Sequence, residues 1–461
     1  MLVPWLSVFA ALPSFVLRAD TTVDEFATTP GKLRVTENSG VCETTPNVYQ
    51  ASGYGDLTSS ESIWFWYFDS RKDAANAPLV LWFNGGPGSS SMIGLLQEHG
   101  PCRITNNSQS VTLNPYSWNN EANVLYIDQP VGVGFSHGTL NVGTSEQAAS
   151  DIWNFLQIFL ADSRFSHLAQ NELALWTEYG GHYGPVFAQY FLTQNAAIAS
   201  GSATGVNLNL KTLGIGNGLT DPITQYPGYI SYAQSNPYVS PLAPDASMEA
   251  ATILWSATGG CQDQIVSWNN NGTDAVCSKA QSFCNGNIIS RLIGDHDEYY
   301  VLSGSDDLYP PDINSWLSSV QTQIGAEVTR EMTNGDVYDN FALTGDWMRS
   351  KLPALDAVVD AGVRVMIYNG DADFIVNYQG IENMFPAMAN KHAAPFNSQP
   401  LSNYTVKGQP AGLYKTCDLL SYVRVFGAGH EVPAYGGPGL DVGEVAFQLF
   451  DQTMKGRVAS T

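Results

Sequence analysis

Leu173-Ala-Leu-Trp-Thr-Glu-Tyr-Gly-Gly-His-Tyr-Gly-Pro185 joins an apolar run to a glycine-bearing turn and then to a second apolar stretch, Val186-Phe-Ala-Gln-Tyr-Phe-Leu192. The run from Leu173 to Trp176 predicts a buried strand, and the residues from about His182 onward predict a helix. Strand, sharp turn and helix together lift one side chain clear of a sheet beside backbone N–H donors. A hydroxyl or thiol is what such a turn presents for nucleophilic attack. Here none stands between Glu178 and Tyr179, where it belongs.

Two further segments have the form of a strand running into a loop with an ionisable group. Val363-Arg-Val-Met-Ile-Tyr-Asn369 leads into Gly370-Asp-Ala-Asp-Phe-Ile-Val-Asn377, and Ser421-Tyr-Val-Arg-Val-Phe426 into Gly427-Ala-Gly-His-Glu-Val-Pro433. Elbow, acid, histidine is the chain order of the α/β-hydrolase fold, distinct from the orders in unrelated triad folds. In that chemistry His430 accepts the nucleophile's proton and returns it to the leaving group. Asp373 holds the imidazole tautomer and stabilises its positive charge.

These segments resemble those of the serine carboxypeptidases. Trp82-Phe-Asn-Gly-Gly-Pro-Gly-Ser-Ser-Ser91 is similar to that family's Asn-Gly-Gly-Pro-Gly loop, and Ile127-Asp-Gln-Pro-Val-Gly-Val-Gly-Phe-Ser136 and Gly214-Ile-Gly-Asn-Gly218 to two further signatures. The family's elbow reads Glu-Ser-Tyr-Gly/Ala-Gly-His-Tyr, whereas this chain reads Glu178-Tyr-Gly-Gly-His-Tyr183. Deletion of one residue after Glu178 explains the difference with a single event. Substitution would need two changes, at Thr177 and Glu178. A Gly-x-Ser-x-Gly match does occur at Gly134-Phe-Ser-His-Gly138, but no helix starts there, so Ser136 reads as structural.

The resemblance implies an α/β-hydrolase fold, a central mostly parallel sheet flanked by helices with a largely helical cap insertion. It also implies roles for particular residues. Asn84, Gly85, Glu98 and Glu178 would bind a peptide's terminal carboxylate, and Gly86 and Tyr179 would donate the oxyanion-hole N–H groups. Glu431 would border the pocket of the departing residue and admit a basic side chain. Two carboxyls held close share a proton, and so can donate to a carboxylate at acidic pH. Asp371 rivals Asp373 as the acid, with the family pattern favouring Asp373. His99, His137 and His182 read as structural.

The sequence has 461 residues, with 20 basic against 43 acidic and a net charge of −23. That balance repels phosphate backbones and anionic membranes, which argues against nucleic-acid or membrane partners. Residues 1–19 read as a signal peptide, followed by one domain over 20–461. Secretion or delivery to an acidic vacuole-like compartment follows. Cys42, Cys102, Cys261, Cys277, Cys284 and Cys417 read as disulfide partners, with fifteen pairings open. No spacing suits a metal, and no cofactor is expected. Asn106, Asn271 and Asn403 each begin a glycosylation sequon.

Along the chain, residues 20–75 read as irregular structure and short strands. Ser145 to Leu160 reads as a helix, with Ala149, Ile152, Trp153, Leu156 and Phe159 on its buried face. From about 221 to 343 the texture turns Gly-, Ser-, Asn-, Asp- and Pro-rich, and the resemblance implies that this segment is the cap insertion, with Cys261, Cys277 and Cys284 expected to brace it. Three functions compete. One is a peptidase releasing C-terminal amino acids by acyl-enzyme chemistry, its recorded sequence one codon short. The others are a peptide-binding pseudoenzyme and an acyltransferase. As written, without a nucleophile, the chain is expected to be inactive.

Overall fold

Buried apolar runs separated by turns become thirteen strands among the described residues. They are β1 (Leu33–Glu37), β2 (Gln50–Asp56), β3 (Ser62–Phe68), β4 (Leu79–Phe83), β5 (Cys102–Ile104), β6 (Val111–Leu113), β7 (Asn123–Ile127), β8 (Leu173–Glu178), β9 (Leu210–Gly216), β10 (Arg364–Gly370), β11 (Ser402–Val406), β12 (Gln409–Cys417) and β13 (Leu420–Val425). The computed structural model describes residues 28–178, 180–304, 309–328 and 332–461, and only the backbone of 268–271. Residues 1–19, expected to be a signal peptide, together with Tyr179 and the Asn271 side chain, lie outside the described residues.

Eleven strands make one sheet, in the order β1-β2-β3-β7-β4-β8-β9-β10-β13-β12-β11. The run from β7 to β13 is parallel throughout. Antiparallel strands extend it on both sides.

Residue alternation along each strand sorts the core onto two faces. In β3, Ile63, Phe65 and Tyr67 join Leu81, Leu175 and Ile215 under α1 (Ser145–Ala161) and α2 (Tyr183–Ala199). Trp64, Trp66 and Phe68 point the other way, towards Trp82, Tyr126, Trp176 and the helix Glu444–Met454. Both faces are covered, so the strands read as continuous apolar runs. Each fully buried large side chain contributes roughly 1.5–3 kcal/mol. On the second face the Phe450 ring stacks on Trp118 at 4.3 Å, and Trp176 meets Trp118 edge-on at 4.9 Å.

The Gly214-Ile-Gly-Asn-Gly218 motif acquires a packing reason. A Cβ on Gly214 would lie 2.1 Å from the Trp176 ring, and one on Gly218 would lie 2.4 Å from the Gly181 nitrogen. Bare backbone at these points lets the elbow turn seat directly on the end of β9.

Three features differ from the sequence reading. The segment 20–75, expected to hold irregular structure and short strands, contains β2 and β3, seven residues each, paired along their whole length. Between β9 and β10 the described residues form helices, including α3 (Pro222–Gln234), α4 (Asp245–Ser256), α5 (Cys261–Asn271) and α6 (Asp274–Cys284). Of these α3 belongs to the main core: Tyr226, Tyr229 and Tyr232 are fully buried, and the helix packs on Tyr378–Met384. Finally, disulfides join Cys42 to Cys102 and Cys261 to Cys284, while Cys277 and Cys417 are free thiols. Cys277 sits two helical turns before Cys284, about 10 Å along the axis, too far for a bridge between them. Among the described residues no helix is long and apolar enough to cross a membrane.

Candidate active site

The carboxyl ends of the parallel strands converge, as open α/β sheets require of a binding crevice. Asn84 follows β4, Glu178 ends β8, Asn217 follows β9, Asp373 follows β10 and His430 follows β13. A cavity of about 700 Å³ opens over them, lined by Asn84, Gly85, Gly86, Glu178, His430 and Glu431 among others.

His430 Nδ1 lies 2.9 Å from Asp373 Oδ2. That oxygen also accepts from Asn217 Nδ2 at 2.6 Å and from the Val376 N–H at 3.3 Å. Asp373 is fully buried, so these donors replace the water its charge would otherwise need. The backbone N–H of His430 donates to Tyr299 O at 2.9 Å, and the Tyr299 ring stands edge-on to the imidazole at 5.3 Å. Asp371 points elsewhere, its carboxylate accepting from Tyr238 Oη at 2.5 Å and from the Gly427 N–H at 2.8 Å.

The imidazole nitrogen remote from Asp373 is the one that takes a nucleophile's proton in a triad. Here His430 Nε2 faces Glu178 Oε1 at 3.5 Å. The other Glu178 oxygen accepts from Asn84 Nδ2, which also donates to Glu98 Oε1 at 3.1 Å. The Asn84 amide cannot be flipped. Its Oδ1 already accepts from Trp82 Nε1 at 2.6 Å and from the Gly94 N–H at 2.9 Å, both obligate donors.

The Glu98 and Glu178 carboxyls share the Asn84 amide as donor, which holds the two acids side by side. Burial pushes the Glu98 carboxyl up to about 7. Burial, then the charges of Glu98 and Glu431, holds Glu178 well above the usual carboxylate range. Glu431 is raised likewise, by burial and then by Glu98 and Asp297. Such a cluster keeps at least one proton at mildly acidic pH, and that proton is available for donation to an anion.

Gly86 has φ +154°, a backbone conformation that favours glycine, and its N–H meets no acceptor among the described residues. The second expected donor, Tyr179, lies outside the described residues. Ser136 is buried, and its hydroxyl accepts from the Trp64 N–H and donates to Asp128 O, each at 2.7 Å. His99 stacks on Trp118 at 3.8 Å and bonds Tyr126 Oη at 3.0 Å. His182 touches the carbonyls of Leu219 and Asp346, and His137 lies 3.4 Å from Glu327. Asn106 and Asn403 are exposed. No group of His, Cys, Asp and Glu side chains among the described residues could hold a metal ion.

Sequence reasoning missed Asn217, Glu298 and Tyr299. Asn217 stood inside a quoted motif, and asking where its amide goes would have found it. The other two sit in the insertion, where no periodicity marks them.

A sheet with parallel centre, an elbow after β8 and an Asp–His pair at the strand ends define an α/β-hydrolase. The family model for serine carboxypeptidases matches residues 40–456, and the chain belongs to that family. It is 42% identical over 431 residues to carboxypeptidase S1 of Penicillium janthinellum, covering 92% of this chain and 99% of that one. It is 34% identical over 413 residues to carboxypeptidase Y of Komagataella phaffii, covering 87% and 76%. The fold is also that of Kex1(Δ)p, a prohormone-processing carboxypeptidase from Saccharomyces cerevisiae. That likeness has a TM-score of 0.69 at 23% identity, over 87% of this chain and 90% of that one.

Proposed function

We propose that this chain recognises peptides through their free C-terminal carboxylate at acidic pH, and that it does not turn them over. The observation that carries the reading is the Asn84–Glu98–Glu178 cluster opening into the same cavity as the Asp373–His430 pair. In this reading Asn84 Nδ2 and the proton shared by Glu98 and Glu178 hold the terminal carboxylate. The N–H groups of Gly86 and Tyr179 are assigned as donors to the carbonyl of the last peptide bond, and Glu431 borders the departing residue. The helical segment that follows α3, up to about residue 343, covers the cavity as a cap. Residues 1–19 send the chain into the secretory pathway, towards a secreted or vacuolar location, with glycans at Asn106, Asn271 and Asn403.

The elbow lacks the oxygen that would form the acyl-enzyme. Loss of a triad nucleophile costs on the order of 10⁶ in kcat. The unaltered protein should therefore show essentially no release of C-terminal amino acids. It should still bind free-acid peptides more tightly than amidated ones at pH 4 to 5, and lose that preference above neutrality. Inserting Ser between Glu178 and Tyr179 should restore turnover and sensitivity to phosphonylating reagents. Ordinary turnover by the unaltered chain, abolished by Ser136→Ala, would overturn the alignment of the elbow. Equal binding of amide and acid at pH 4 to 5 would overturn the carboxylate site.

A further inference from the structure

The loop carrying Asp373 is gripped by parts of the chain remote from the sheet. Tyr229 and Tyr232, three residues apart on one face of α3, are both fully buried. Tyr229 Oη donates to Ile375 O at 2.7 Å and Tyr232 Oη to Asp371 O at 2.8 Å. From another side, Glu298 O accepts from the N–H groups of Phe374 at 3.1 Å and Ile375 at 2.9 Å, and the Val301 N–H donates to Ala372 O at 3.0 Å. The same short segment reaches the other partner, because Tyr299 O accepts from the His430 N–H at 2.9 Å. Residues 298–301 thus bond the acid-bearing and the histidine-bearing loops at once.

We propose that Tyr229, Tyr232 and the segment Glu298–Val301 are positioning elements that hold Asp373 against His430, so that the chain between β9 and β10 builds the acid–histidine pair as well as covering it. The proposal rests on the reading of Asp373 and His430 as the scaffold's acid and base. A carboxylate in a loop beyond a strand end has few sheet bonds to fix it, and a displacement near 1 Å can cost roughly a hundredfold in rate. The two phenols act on the loop's carbonyls and do not themselves line the cavity, so removal of a hydroxyl loosens the loop without deleting a group that faces the substrate.

Two measurements test it. In the full chain carrying the inserted Ser, Tyr229→Phe with Tyr232→Phe should lower kcat roughly tenfold to a hundredfold, with KM changed less than about twofold. Tyr226→Phe, which removes a phenol from the same helix without touching the loop, should leave both constants unchanged. Lower thermal stability with unchanged kcat in the double variant would overturn the proposal. In the unaltered protein, the amides of Phe374, Ile375 and His430 should exchange slowly and together, and in Val301→Pro they should exchange faster together. Fast or independent exchange in the unaltered protein would sink the clamp. If the inserted Ser fails to give turnover, the functional reading falls, and amide exchange still decides the clamp.

Discussion

At Glu178 one carboxyl meets two demands. Its Oε2 joins the Asn84 amide, and its Oε1 lies at His430 Nε2. Replacing Asn84 by Ala removes the donor that aligns both acids, and should weaken free-acid peptide binding at pH 4 to 5 by roughly tenfold to a hundredfold, the loss of a charge-assisted hydrogen bond. Amidated peptides should be unaffected, and titration calorimetry reads both. The two free cysteines give a second test. Cys417 is half-buried and Cys277 buried. A thiol reagent should therefore modify one cysteine in the native protein, slowly because burial and then Asp418 raise the Cys417 thiol. A second should react only on unfolding. Two fast-reacting native thiols, or none in the unfolded unreduced chain, would contradict the disulfide assignment.

Among the elements, the contact between the elbow turn and the end of β9 has the least room. A methyl on Gly218 would enter the Gly181 backbone. Gly218→Ala should cost about 1–3 kcal/mol or more through overpacking, seen as a lower denaturant midpoint. Gly286→Ala, in the insertion with open space around it, should change little. The Cys261–Cys284 bridge closes a separation of 23 residues between α5 and α6. Its removal should cost about 3 kcal/mol by the loop-entropy relation. The spacing of Ala149, Ile152, Trp153, Leu156 and Phe159 made α1 legible, because a periodic apolar face is a local property of sequence. The β11–β12 hairpin was not legible, since its burial is patchy and its pairing to β13 is a tertiary matter.

For the molecule as a whole, the protonated carboxyl cluster sets the direction of pH dependence. Glu98, Glu178 and Glu431 are raised in the folded chain, so it holds protons that the unfolded chain releases above about pH 4.5. Stability therefore falls as pH rises from about 4.5 through 7, with Glu98 alone worth at most about 3 kcal/mol. The opposite sign applies to other acids, Asp346 and Glu43 among them. Against the upward push of burial, Lys351 and His182 hold Asp346 low, and hydrogen bonds from Thr45, Asn119 and Arg71 hold Glu43 low. Their contributions fade as pH drops below about 4. Melting temperature should peak near pH 4 to 5 and fall towards pH 8, and the fall should shrink in Glu98→Gln. A melting temperature that rises from pH 5 to 8 would contradict the cluster's protonation.

By itself the sequence determined the fold class, the order of elbow, acid and histidine, and the residues at the strand ends. Those are carried by contiguous apolar runs and by short motifs that follow them directly in the chain. It also displayed Tyr179 directly after Glu178, which is a fact of covalent order. The tertiary structure gave the physical reason why Asp373, the acid the family pattern favoured, neighbours His430, because Asp371 is held instead by Tyr238 and the Gly427 N–H. It alone turned the Asn84 amide towards the two glutamates, through the fixed donors of Trp82 and Gly94. And it alone brought α3 and residues 298–301 onto the acid loop: bonds between segments some 70 to 150 residues apart in the chain are made by packing, and leave no pattern in the residues that make them.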